Sequence, residues 1–183
     1  MTQTHRKQPQ QDVLFPLTGI VAIYTRVAAS QERETRQLQT TDLVALACEN
    51  GFSAQQITVY EERNVSGKMP LARRTAASKL LNDIIDPPPE TQPIKAIFVS
   101  AEDRLFRDGA AVDIAFFIET CREHNVLLVT PTSVYDFINP AHVAQFRFIC
   151  ETVGEYVKRM ILSRLQAGRR QKRQQRTDKE SQQ

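Results

Sequence analysis

The chemistry within reach of this sequence is carried by its arginines. Arg26 comes two residues after Tyr24 at the end of an apolar run, Ile20-Val-Ala-Ile-Tyr24, and Arg104 and Arg107 lie in Asp103-Arg-Leu-Phe-Arg-Asp108, just after a second run from Ile94 to Val99. Ser66-Gly67 and Arg73-Arg74 follow a third, Ile57 to Tyr60. Guanidinium binds phosphate oxygens through two parallel hydrogen bonds and stabilises the charge of a phosphoryl group in transfer. A single exposed arginine is ordinarily a solvated side chain. Arginines delivered by three strand ends to one edge form a phosphate site, because an open α/β sheet binds ligands at the carboxyl ends of its strands.

Other chemistries have less support. His5, His124 and His142 are scattered, and Cys48, Cys121 and Cys150 include no pair at CxxC spacing, so neither a metal cluster nor a disulfide framework is expected. The cysteines read as buried thiols. No GxGxxG and no GxxxxGK loop follows any strand, so no nucleotide cofactor is expected.

The elements that must position the arginines alternate in period. Strands are expected at Ile20 to Tyr24, Ile57 to Tyr60, Ile94 to Val99 and Val126 to Thr130. Helices are expected at Thr41 to Asn50, ending at Gly51, at Ala72 to Ile85, stopped by Pro87-Pro-Pro89, and at Val112 to His124. This pattern predicts an α/β domain over residues 19–138, with a mostly parallel sheet covered by helices. Residues 1–18, rich in Gln, Thr and Pro, read as a disordered leader, and 177–183 as a disordered tail.

A long helix is expected over residues 139–176. Its apolar positions Val143, Phe146, Cys150, Val153, Val157 and Met160 step by 3, 4, 3, 4 and 3, the seam of two packed helices, which predicts a dimer contact. A helix lying on its own sheet is the alternative, since six positions do not separate a period of 3.5 from 3.6. Further on the helix turns basic, with Arg164, Arg169, Arg170, Lys172, Arg173 and Arg176. The net charge of +3 is correspondingly uneven: residues 158–183 hold nine Lys/Arg against two Asp/Glu, whereas residues 1–157 hold fifteen against nineteen. An acidic body thus carries a basic end, with a solubilising tail as one reading of it. The longest apolar run is too short to span a bilayer and the first residues lack the apolar core of a signal peptide, so a cytoplasmic protein without membrane partners is expected.

Tyr24-Thr-Arg26-Val27, Ser66-Gly67 and Asp103-Arg104-Leu105-x-Arg107-Asp108, followed by a long helix, resemble the catalytic domain of the serine recombinases, the resolvases, invertases and large serine integrases, over roughly Ile20 to Gly168. The resemblance implies a serine at the end of the first strand that attacks a DNA phosphodiester, forming a 5′-phosphoserine and releasing a 3′-hydroxyl without metal or external energy source. It implies double-stranded DNA as partner and self-association, as dimers joined into a tetramer during strand exchange. Carried over residue by residue, Arg26, Arg104 and Arg107 become the phosphate-binding arginines and Ser66 the supporting serine. Arg74, more than Arg73, becomes the arginine that opens the next helix. Asp103 would orient the arginines, Tyr24 would be structural or secondary, and Gln37 falls near the start of the first helix, where the family often has glutamine.

One residue departs from the pattern. Where the family reads Tyr-x-Arg-Val-Ser, this chain reads Tyr24-Thr-Arg26-Val27-Ala28, placing a methyl group at the nucleophile position. Alanine has no attacking atom. The serine has been replaced deliberately, or activity has been lost naturally to leave a dimerising or regulatory relative, or the nucleophile has moved to Ser30, a displacement of about 6–7 Å along an extended chain.

Overall fold

Val21 and Ile23 point from strand β1 (Ile20–Val27) toward one layer of the molecule, Ala22 and Tyr24 toward the other, and all four are buried. A strand covered on both faces must be apolar at successive positions, which is why β1 reads as a continuous run. The computed structural model describes residues 18–27, 33–63, 65–66, 69–106 and 111–152, with side chains from residue 39 onward in the first helix.

Helix α1 (Arg33–Glu49) follows β1, then β2 (Ile57–Arg63), helix α2 (Thr75–Ile85), β3 (Ile94–Phe98), helix α3 (Ala111–Glu123), β4 (Leu127–Val129), β5 (Val134–Tyr135) and a helix α4 described over 140–152. The strand order is β2-β1-β3-β4-β5, parallel throughout except for the antiparallel edge pair β4-β5. This is the expected α/β class. β5 was not foreseen, and α1 begins eight residues before the helix expected at Thr41. Gly51 ends α1 as expected: at φ +91° its amide donates to the Cys48 carbonyl while Phe52 N–H donates to Ala47 O, the paired bonds of a left-handed helix stop.

The two layers have distinct cores. Leu43 and Ala47 of α1, with Phe52, pack on Val21, Ile23, Ala96, Phe98 and Val129. On the opposite face α2, α3 and α4 bury Leu80, Ile84, Phe117 and Phe146 against Ala22, Tyr24, Ile97 and Leu128. The alternation continues past the apolar part of the strand, so Arg26 shares the face of Ala22 and Tyr24.

Helix α4 corrects one expectation. Phe146 (0% exposed) and Cys150 (2%) lie inside this chain's own core and Val143 packs against it, so these three members of the proposed dimer seam serve the alternative, a helix resting on its own sheet. The cause is aromatic: Phe106, Phe117, Tyr135 and Phe137 surround Phe146 with ring centroids 5.2–6.2 Å away. Val153, Val157, Met160 and the basic positions Arg164 to Arg176 lie outside the described residues, as do the leader and tail. No described helix is long and apolar enough to cross a membrane.

Candidate active site

In the parallel register Arg26 lies beside Glu62 of β2 and Tyr24 beside Tyr60. Glu62 is 2% exposed and its Oε2 accepts the amides of Ala76 (3.0 Å) and Ala77 (3.2 Å) in the first turn of α2. A carboxylate at a helix N-terminus takes up orphan donors and complements the helix dipole. Glu62 thereby fixes where α2 starts, and hence where Arg74, the residue just before it, is held. The sequence gives no cue to this role, since a glutamate closing a strand looks like any solvated one.

Arg74 is 2% exposed in an extended backbone conformation (φ −87°, ψ 126°) between a short 3-10 turn, Leu71–Arg73, and α2. Its Nε donates to Met69 O at 2.8 Å and its Nη1 to Leu105 O at 2.6 Å and Arg104 O at 3.4 Å. Arg26, 1% exposed, reaches the same loop: Nε donates to Arg104 O at 2.9 Å, Nη2 to Asp103 O at 3.0 Å and Nη1 to Val65 O at 3.5 Å. Two buried guanidinium groups thus grip three consecutive carbonyls of the turn carrying the Asp-Arg motif. Tyr24 completes the floor. Burial raises the pKa of its hydroxyl above the ordinary value, and Arg74 offsets part of that rise.

Arg104 is differently placed. Its side chain is 24% exposed and, among the described residues, its Nε has no hydrogen-bond partner and its ion-pair partner is Asp103 Oδ1 at 3.5 Å. Ser66 is exposed on the loop whose Val65 carbonyl accepts from Arg26. Arg73 is exposed too, and from it an open polar groove runs along α2 past Thr75, Ser78 and Lys79. Tyr24, Arg26, Ser66, Arg74, Asp103 and Arg104 therefore meet at the carboxyl edge of β1, β2 and β3. Ala28, Ser30 and Arg107, and the side chain of Gln37, lie outside the described residues. Among those residues no three His, Cys, Asp or Glu side chains converge on a metal-sized site.

The fold has a counterpart among solved structures. The crystal structure of the N-terminal catalytic domain of TP901-1 integrase superposes with a TM-score of 0.53 at 22% identity, covering 76% of this chain and 97% of that one. The C-terminal catalytic domain of ISC1926 TnpA, an IS607-like serine recombinase, gives 0.48 at 21% identity, covering 60% of this chain and 65% of that one. No curated protein matches the chain. The family model described as "Resolvase, N terminal domain" matches residues 21–177, spanning both the arginine edge and the helix that follows. With most of its length inside that model, this chain belongs to the resolvase N-terminal domain family of site-specific recombinases.

Proposed function

We propose that this domain builds the phosphate-handling half of a DNA cleavage and rejoining site, and that as written it lacks the nucleophile. The observation that supports this most directly is the convergence of Arg26, Arg74 and Arg104 on one strand edge, with β1 leading straight to residue 28. A hydroxyl at position 28 would attack the phosphorus of a DNA phosphodiester and form a Ser–O–P bond. The P–O3′ bond would break, and the 3′-oxygen would leave with a proton. Arg104, the arginine least committed to backbone carbonyls, and Arg107 would carry the developing charge on the phosphoryl oxygens, while Arg26 and Arg74 hold the turn that presents them. Ala28 supplies no such oxygen.

The test is a denaturing gel of the protein incubated with duplex DNA containing its crossover site. The chain as given forms no covalent adduct, and Ala28→Ser forms one that is sensitive to protease. An adduct on the unaltered chain that disappears in Ser30→Ala would move the nucleophile to Ser30. No adduct from Ala28→Ser would favour the second reading, which Ala28 itself motivates: a non-catalytic relative that associates with itself and with DNA.

Double-stranded DNA is the partner on either reading, and the basic positions Arg164, Arg169, Arg170, Lys172, Arg173 and Arg176 are its proposed backbone contacts. Replacing all six with glutamine is expected to flatten the slope of log K against log salt by up to about 5, since each neutralised phosphate contributes about 0.9. Fluorescence anisotropy with a labelled duplex between low and moderate salt measures it. An unchanged slope identifies a solubilising tail. Self-association is proposed to use the segment beyond Cys150, where Val153, Val157 and Met160 continue the apolar spacing of the sequence, and Val153→Asp tests it by sedimentation.

A further inference from the structure

The turn that carries Asp103 and Arg104 is held at points the arginines do not touch. At its start, the Tyr135 hydroxyl donates to Glu102 Oε1 at 2.5 Å. At its end, the ring of Phe106 packs edge-on against Phe146 of α4, centroids 6.1 Å apart. Tyr135 also meets Phe146, at 5.2 Å and 63°, and is itself 0% exposed on the edge strand β5. Phe146 therefore touches the end of the turn directly and its start through one tyrosine.

We propose that Tyr135 and Glu102 form a positioning pair that, together with Phe146, ties the Asp103–Arg104 turn to the seat of helix α4. The pair holds the Glu102 end of the turn while the Arg26 and Arg74 donors hold its carbonyl row. Burial raises the Tyr135 pKa, with the Glu102 hydrogen bond adding to the rise, so the hydroxyl keeps its proton and stays a donor at neutral pH. A packed aromatic contact does not stretch smoothly: if α4 shifts, Phe146 either keeps both of its contacts or loses them. The geometry thus makes the presentation of Arg104 depend on how α4 is seated. The consequence for DNA cleavage rests on the function proposed above; the contact itself does not.

Hydrogen exchange at the amides of Arg104, Leu105 and Phe106 tests the pair, because these three close the turn onto Ala101 O and Glu102 O. In the full chain, Tyr135→Phe keeps both ring contacts and removes only the hydroxyl. It should speed exchange at the three amides about tenfold, the factor for one net hydrogen bond, while amides of β1 stay at their parent rates. Glu102→Gln, which still accepts from Tyr135, should remain within about twofold of the parent. Phe146→Leu should give the same local rise, and the double variant no more than the larger single, the non-additivity of a shared path. Parent-like exchange in Tyr135→Phe, a rise spread equally over β1 and β3, or additive effects would each overturn the proposal. In the Ala28→Ser background, Tyr135→Phe should slow adduct formation about tenfold with unchanged DNA affinity, and Glu102→Gln should not. If Ala28→Ser alone yields no adduct, the cleavage reading fails, while the exchange rates still decide the pair.

Discussion

Arg74→Met is expected to lower the unfolding free energy by about 3–5 kcal/mol, the range for removing one partner from a buried charged network. The side chain is 2% exposed and donates to the carbonyls of Met69 and Leu105 at 2.8 and 2.6 Å. Methionine would fill much of the volume but deprive both carbonyls of their guanidinium donor, the Leu105 one in a buried setting. A hydrogen bond from a charged group contributes about 1.5–3 kcal/mol, and the two short ones are lost together with the 3.4 Å bond to Arg104 O. Arg74→Lys should recover less than half, because one ammonium cannot serve two carbonyls that the flat guanidinium spans. Urea unfolding followed by circular dichroism measures both. A methionine variant within about 1 kcal/mol of the parent would mean that the loop finds other donors, water included.

Arg104→Ala should do the reverse. In the Ala28→Ser background it is expected to lower the rate of adduct formation by about 10²–10³, the range for deleting one preorganised donor to a developing anion, while changing stability by less than about 1 kcal/mol. The side chain is 24% exposed and among the described residues its ion-pair partner is Asp103 at 3.5 Å, so its removal breaks no short buried bond there. The backbone carbonyl of residue 104, which accepts from Arg26, survives the substitution. Single-turnover cleavage of a duplex under saturating protein separates the chemical step from binding. Equal losses from Arg104→Ala and Arg74→Lys in both rate and stability would show that the two arginines share one role.

This division of labour was not legible in the sequence. Spacing alone places Arg26, Arg104, Arg107 and the pair Arg73-Arg74 after strands, because a parallel sheet with helical crossovers leaves few other arrangements for alternating apolar runs. It could not show that Arg26 and Arg74 are buried beneath the turn that carries Arg104, because burial of a charge depends on which carbonyls come within reach. Glu62, Glu102 and Tyr135 passed unnoticed for the same reason: their partners are 14 or more residues away along the chain. β5 has two residues, too few for a period. The first turns of α1 hide in Arg33-Glu-Thr-Arg-Gln-Leu-Gln-Thr40, which offers one apolar side chain in eight. The row from Val143 to Met160 was read as a seam between chains because its step pattern suits a partner helix as well as a sheet. Phe146 went to the aromatic ring cluster instead.

The interior position of β1, between β2 and β3, also governs how the chain is made. Its neighbours are β2 and β3, and the second of these ends at Phe98. A ribosome adding about 5–20 residues per second needs roughly 4–14 s to travel the ~70 residues from Val27 to Phe98. During that interval the first strand to emerge, apolar at five successive positions, has no complete place in a sheet. Pairing across such separations is slow to nucleate even in a finished chain. The nascent polypeptide thus displays an apolar strand before its second sheet neighbour is synthesised, and slowing translation ahead of β3 should lengthen that window and lower the yield of folded protein.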